Sequence, residues 1–569
     1  MKGILVIIFF LLSTVLLSGG AVCLASPLPD EVSRILARLS QGDEETLVRL
    51  PARPPLSREE AVLAFYRLRD GEPAWVGNLG LRAGGHELIE FLRGVGDLGL
   101  CSDHYHLAAI EPLLDLSGDS LRHGVLFDPG YFALLELMLT DAFFGLAADL
   151  AGESPESGRE ISTRDLLRLL NRSLAKGDLT ATLLGLQPDR HQFADLLVEL
   201  QRLRRLSALG GWPAIPAGPT LRPGMRDDRV PLVRQRLLLD GDLDPGGDWD
   251  SLLYDPETVL ALKSFQRRHG IADDGVIGPI TLTELNRPVE ERIRQVEINL
   301  VRWRNENRDY RERYVQVNIA AYRLDVIELG ETVMSMPVVV GTPYRKTPSF
   351  SASMRYIEFA PFWYVPPTIL REDKLPVIRR DPGWLKRHHY EIVRWGRPTE
   401  LVDPMRINWR RIRPENFPGL LRQRPGPWNP LGRVKFMFPN RYSVYLHDTD
   451  SPNLFARLDR TYSSGCIRIE RPLDLALYLL RAAGWDCDRI IEAMERSEPL
   501  RVDLPEPVQV HIVYWTAWAD AGGRMHYRND IYQRDADLEL AWQRRLADET
   551  EGWQLAKAGA PGQNRSLSQ

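Results

Sequence analysis

The chain has 569 residues, 44% hydrophobic and 26% charged. That is ordinary for globular protein but too long for one core, and a spacing of about 100–200 residues per domain predicts about three or four domains. A net charge of −5 is small for this length, so no general attraction to nucleic acid or to an anionic membrane is expected.

Residues 1–25 read as a signal peptide. Lys2 supplies a short positive start, Ile4 to Leu17 an apolar run, and Cys23-Leu24-Ala25 small residues before a cut at Ser26. The stretch Gly3 to Ala25 is also long enough to stay as a membrane anchor, so membrane contact is expected only if it is uncleaved. Lipidation at Cys23 is disfavoured by the bulk of Val22. No later segment has the uninterrupted apolar length of a span, so the remainder is expected to be soluble and exported. Cleavage leaves Cys101, Cys466 and Cys487, an odd number that leaves at least one free thiol in an oxidising compartment. A Cys101–Cys487 disulfide and two unpaired thiols both stay open.

Residues 26 to about 57, rich in Pro, Arg and Ser, read as a lead-in with one short helical stretch. An all-helical block is expected over 58–209. Glu59 to Tyr66 spaces apolar residues at three and four, Pro73-Ala74-Trp75 breaks the pattern, and Tyr131 to Leu150 is a strongly apolar, buried helix. A Pro/Gly-rich connector from Gly210 to Pro223 ends this block. A small module over 228–287 then places helices at Val230–Leu239 and Pro256–His269, followed by Asp274-Gly275 and Gly278-Pro279 turns.

Pro288 to Arg308 reads as a helical connector. Val315 to Ile319 and parts of Leu324 to Val340 alternate apolar and polar residues, which predicts an antiparallel sheet. Roughly 70 residues, 362–432, interrupt the strands and carry Trp363, Trp384, Trp395, Trp409 and Trp428. An insertion of this length beside a site reads as a lid or as a packing layer. Val508 to Thr516 is a further strand, and 546–569 reads as a disordered tail.

The chemistry concentrates between Tyr442 and Arg468. Tyr442-Ser443-Val444-Tyr445-Leu446 alternates like a half-buried strand, placing His447 at a strand end. Ser463-Ser464-Gly465-Cys466-Ile467-Arg468 follows, just before a helix with Pro472 in its first turn. A free thiol is only a few per cent ionised near neutrality, so a histidine within reach is the natural base. The N–H groups of Gly465 and Cys466 are candidate donors to an oxyanion. His104-x-His106 and His388-His389 lack further spaced ligands, so they read as surface or packing residues and no metal or cofactor is expected.

Tyr445-Leu446-His447-Asp448-Thr449 with Ser463 to Arg468 resembles the signature of the L,D-transpeptidase (YkuD) catalytic domain. Ser464 stands where many members carry a second histidine, as in the large periplasmic YcbB-like branch. Gly426 to Phe436, Phe438-Pro439-Asn440, Val338 to Pro343 and Lys346-Thr347-Pro348 agree with that branch. Phe65-Tyr66, Pro73-Ala74-Trp75 and Asp103 to His106 resemble its scaffold. Leu262 to Gly270 with Asp274 to Asn286 looks like a three-helix peptidoglycan-binding domain, a helical spacer being the alternative.

The resemblance implies a multidomain α+β fold: a helical scaffold, a peptidoglycan-binding module, and a β-rich catalytic domain over 312–535 with a capping insertion at 362–432. It implies Cys466 as nucleophile and His447 as base, with Gly465, Ser464, Arg468 and Tyr445 at the oxyanion or substrate. Arg468 as a structural ion pair, and Asp448 or a backbone carbonyl as the group orienting His447, stay open. The implied activity is 3→3 cross-linking of peptidoglycan stem peptides in the periplasm, part of cell-wall biogenesis and cell shape. Stem peptides and glycan are the implied partners, carbapenem-type compounds the implied inhibitors, and nucleic acid is not expected. Hydrolysis by the same site, as an L,D-carboxypeptidase or endopeptidase, and a non-catalytic wall-binding scaffold remain as rivals.

Overall fold

The computed structural model describes residues 28–51, 54–78, 80–114, 128–153, 158–246, 250–306, 310, 312–397 and 399–544. The expected signal peptide and C-terminal tail lie outside the described residues.

The N-terminal part is helical, as its periodicity predicts. Helix α1 (Leu28–Ser40) starts within the expected lead-in. Its Val32, Leu36 and Leu39, four and three residues apart, are buried in the same core as Val62, Phe65 and Tyr66. The lead-in therefore belongs to the helical block. Its Pro- and Arg-rich composition hides an amphipathic helix in which Leu28 and Ile35 pack beside Val32, Leu36 and Leu39.

Helix α2 (Pro129–Leu150) is the axis of this core. By length and composition it could cross a membrane, but almost all of it is buried inside the protein. Its three polar core residues explain why. Glu136 accepts from the Tyr66 hydroxyl and from the N–H groups of Ala74, Trp75 and Val76. Thr140 bonds the Trp75 indole, and Asp141 takes the backbone of Ser57 and Arg58 and the ring of His106. The Pro73-Ala74-Trp75 break is thus stitched to α2, because buried backbone N–H groups need partners.

Helix α3 (His191–Ala208) packs along α7 (Val289–Arg304), and both pack against the hairpin of Ala517–Ala519 with Met525–Tyr527. The expected connector is therefore part of a core. Between α3 and α7, helices α4 (Val230–Leu239), α5 (Pro256–Arg268) and α6 (Pro279–Leu285) enclose their own apolar cluster. Gly275 sits at φ +72° in the Asp-Gly turn and Pro279 opens α6, which is how so short a module reverses direction twice. Arg268 donates to the Met525 carbonyl at 2.7 Å, and Arg528 donates back to the Arg268 carbonyl at 2.7 Å.

The C-terminal part is built on a nine-stranded sheet. Its strands are β1 (Arg313–Asn318), β2 (Arg323–Glu328), β3 (Glu331–Gly341), β4 (Phe350–Phe359), β5 (Val434–Met437), β6 (Leu446–His447), β7 (Thr461–Ser463), β8 (Ile467–Ile469) and β9 (Leu500–Val513). The order is β7-β3-β8-β6-β5-β4-β9-β1-β2, and β2 also pairs with β3, so the circuit closes. The strands expected to form an antiparallel sheet do so, β1 with β2 and β2 with β3. The whole sheet is mixed, because β6–β8, β7–β3 and β9–β1 are parallel. Alternation along one strand reports a half-buried face and says nothing of the partner's direction. Pro505 and Pro507 lie where the β9–β4 register breaks, between Asp503 and Val508, because neither can donate to the ladder. Helix α8 (Pro472–Leu480) covers the inner face.

The insertion forms a four-stranded sheet, in the order Trp363–Tyr364, Leu420–Gln423, Tyr390–Val393, Leu401–Val402. It has its own core around Leu375, Ile378, Leu385, Ile392 and Leu421. Trp363 and Trp409 are buried there, whereas Trp395 and Trp428 are exposed.

Candidate active site

The strand expected over Tyr442–Leu446 shrinks to Leu446–His447. Ser443 has φ +55°, and the Asn440 side chain bonds both ends of the preceding turn, donating to Phe438 O and Val444 O and accepting from the N–H groups of Tyr442 and Val444. The alternation of Tyr442 to Leu446 comes from this turn rather than from a ladder.

Register places the candidate residues on one face. Glu358, Lys435, His447 and Arg468 are successive partners across β4, β5, β6 and β8. The next row, Ile357, Phe436, Leu446 and Ile467, is fully buried on the opposite face. Since side chains alternate, Tyr445 and Cys466, one step back, return to the face of His447 and Arg468. The Ile467 N–H donates to Tyr445 O at 3.1 Å and locks this pairing.

His447 is buried, and its Nδ1 lies 2.6 Å from the Asp448 backbone oxygen. That carbonyl, rather than the carboxylate, orients the ring. The Asp448 carboxylate instead accepts from Arg433 N–H at 2.8 Å. Donation from Nδ1 leaves the lone pair on Nε2. Burial pushes the imidazole pKa down to about 3, and the positive charges of Arg468 and Lys435 act in the same direction. The ring is therefore a neutral acceptor.

Cys466 is partly exposed, and its Sγ lies 3.8 Å from the Ser443 carbonyl. Among the described residues the thiol makes no hydrogen bond to the imidazole. Burial raises the thiol pKa; the backbone and hydroxyl of Tyr445, with Lys435 and Arg468, pull it back. The Tyr445 phenol is raised, first by burial and then by the sulfur. Lys435 Nζ sits 4.7 Å from the Tyr445 ring centroid and 3.7 Å from Glu358.

The loop before the thiol is held from below. Gly465 has φ +113°, a conformation L side chains rarely adopt. Its N–H donates to Ser463 Oγ at 3.1 Å, and Ser463 Oγ donates to the Cys466 carbonyl. The Gly465 N–H is thus committed within the loop. Thr347 Oγ1 donates to Gly465 O at 2.9 Å and accepts from Gly341 N–H at 2.9 Å. The buried Tyr532 hydroxyl donates to Gly341 O and accepts from Thr347 N–H. A Cβ on Gly341 would stand 2.1 Å from Arg345 O and 3.1 Å from Gly465 Cα, so only glycine permits this approach.

Ser464 is exposed and accepts from Arg345 Nη1 at 3.0 Å. Arg345 also pairs with Glu372 and Asp373 of the insertion. Arg468 donates to Thr449 Oγ1 at 3.2 Å and lies 3.7 Å from Asp450.

Sequence reasoning missed roles for Lys435, Thr347, Tyr532 and Arg345. Only Lys435 carried a signal: in Val434-Lys435-Phe436 it is the polar residue between two core residues. The histidine pairs sit apart from this face. His106 pairs with Asp141 at 2.7 Å, His388 stacks on Trp384 and His389 on Trp428. Cys101 and Cys487 are unpaired.

Residues 312–491 match the family model described as the L,D-transpeptidase catalytic domain, YkuD. The chain carries an L,D-transpeptidase catalytic domain. Residues 226–285 match a "putative peptidoglycan binding domain" and residues 60–200 a "scaffold domain". A curated protein of Haemophilus influenzae, named "Putative L,D-transpeptidase", is 35% identical over 229 residues. That match spans 40% of this chain and 45% of that relative. An L,D-transpeptidase crystal structure from Xylanimonas cellulosilytica is 16% identical at TM-score 0.18, covering 52% of this chain and 99% of its own. One from Stackebrandtia nassauensis is 15% identical at TM-score 0.21, covering 52% and 97%. At these scores the likeness carries no argument. The L,D-transpeptidase domain thus contains every candidate residue, since Tyr445 to Arg468 lies within 312–491.

Proposed function

We propose that this L,D-transpeptidase domain forms 3→3 cross-links between peptidoglycan stems through a thioester on Cys466. The observation that carries the reading is the shared face of Tyr445, His447, Cys466 and Arg468, set by the parallel β6–β8 register. Cys466 stands diagonal to His447 across β6 and β8, a separation of about 7–8 Å that side chains can span. A turn of the Cys466 side chain away from the Ser443 carbonyl is assigned as the step that brings Sγ toward Nε2.

In this scheme the neutral imidazole takes the thiol proton as sulfur attacks the amide carbonyl before the terminal D-alanine of a tetrapeptide stem. Lys435, Arg468 and Tyr445 favour the thiolate electrostatically. The Cys466 N–H is assigned to the oxyanion, since the Gly465 N–H is held by Ser463. Collapse breaks the C–N bond; His447 returns the proton to the leaving amine, and D-alanine departs. The side-chain amine of a second stem attacks the thioester, loses its proton to His447 and expels the thiol. Arg468, linked to Thr449 and Asp450, positions the stem. The matched peptidoglycan-binding module supports wall substrates and action in the periplasm.

Water as acceptor would give carboxypeptidase or endopeptidase products from the same thioester, and product analysis with tetrapeptide muropeptides separates the two. The deciding experiment for the nucleophile is intact-mass analysis with a carbapenem. A single adduct is expected on the wild-type chain and none on Cys466→Ala. An adduct on the variant removes the assignment.

A further inference from the structure

A cavity of about 670 Å³ lies behind the catalytic loop, between the end of α7, the 346–349 loop, the Arg441-Tyr442 turn and the 534–541 segment. It is separate from the thiol face yet shares its supports. Tyr442 precedes the residue whose carbonyl contacts Sγ, and Lys346 precedes the threonine that holds Gly465.

Its charge is uneven. Arg302 is neutralised by Asp535 at 2.7 Å. Lys346 donates to the Tyr532 carbonyl, Arg441 to the Tyr442 hydroxyl, and Arg534 to Ser349 Oγ and Thr347 O. All of these acceptors are neutral. Among the described residues none of the three forms an ion pair. Lys346 and Arg441 stand on the catalytic-loop side, and Arg534 reaches that side from the 534–541 segment. Glu306 and Asp537 line the α7 and C-terminal side, and Tyr442, Tyr514 and Trp515 add aromatic wall. Three cations with only neutral partners in one concave, partly desolvated space form a receptor for a carboxylate.

We propose that this cavity binds a carboxylate-bearing peptide, the acidic part of a peptidoglycan stem, with Lys346, Arg441 and Arg534 as its counter-charges. The proposal rests on the reading above for its substrate, but its test does not need turnover.

The test uses the full chain carrying Cys466→Ala and a synthetic tetrapeptide stem with free carboxylates. The same peptide with every carboxylate amidated is the control, and binding is read by calorimetry. Arg441 is exposed and bonds only its neighbour's hydroxyl, so replacing it leaves the fold's supports intact. Arg441→Ala should weaken the acidic peptide about 3- to 10-fold, the size of one partly screened charge contact. It should leave the amidated peptide unchanged, and Arg441→Lys should restore much of the loss. Lys346→Met should act in the same direction. Equal loss for both peptides, or no loss for either, overturns the proposal. Carbapenem labelling of Cys466 in the parent chain is scored separately, so failure of the cavity and failure of the transpeptidase reading are told apart.

Discussion

At the scale of single residues, the decisive feature is a buried imidazole flanked by two cations. Burial, with Arg468 and Lys435, lowers the His447 pKa from 6.5 to about 3. Between those values the unfolded chain binds a proton that the folded chain does not. Stability therefore falls as pH drops from about 6.5 toward 3 and is unaffected by this group above that window. His447→Gln removes the titration. Measured by thermal denaturation, the variant should gain on the wild type as pH falls from 7 to 4, by up to about 1.4 kcal/mol per pH unit. A constant difference across that range would contradict the burial argument. The types and spacing of Cys466 and His447 were legible without coordinates, because few arrangements place a lone thiol after Ser-Gly beside a strand-end histidine. Two other facts were not: the Gly465 N–H is taken by Ser463, and Asp448 serves through its backbone. Both are hydrogen-bond choices made only when the loop is packed.

At the scale of elements, the nucleophile loop is a short arc hung between β7 and β8 and tied at one point to β3. The tie is Thr347, whose hydroxyl joins Gly341 N–H to Gly465 O. Thr347→Val keeps the shape but leaves the N–H and C=O without that partner in a buried place. The expected loss is about 1–3 kcal/mol by denaturant titration, with a fall in the rate of Cys466 acylation because Gly465 no longer holds its φ. Unchanged acylation at reduced stability would limit Thr347 to a packing role. Helices were read from period with little error, as Pro129–Leu150 shows. Strands were read less well. Val315 to Val340 gave the right faces and the right antiparallel pairing, but the parallel pairs join strands through crossovers far apart in sequence. The turn at Tyr442–Tyr445 imitates a strand only in its order of residue types, since Tyr442 and Ser443 are both exposed in the fold.

At the scale of the whole molecule, the insertion at 362–432 has a core of its own and is joined to the catalytic loop through Arg345, which bridges Ser464 to Glu372 and Asp373. These contacts are partly exposed and individually weak. Arg345→Ala should raise amide hydrogen exchange across residues 370–374 several-fold while leaving β4 and β5 protected. No change there would mean that the insertion's own core, rather than this bridge, holds the segment. Sequence alone determined the succession of a helical block, a small three-helix module and a β-rich domain, and it singled out the thiol and imidazole. Those properties follow from local periodicity, turn residues and rare side chains, which act over a few positions. Tertiary structure alone decided that the lead-in helix is core, that three strand pairs are parallel, and that Thr347, Tyr532 and Arg345 support the loop. These contacts join residues many tens of positions apart, so no local pattern encodes them, and only closure of the sheet brings them together.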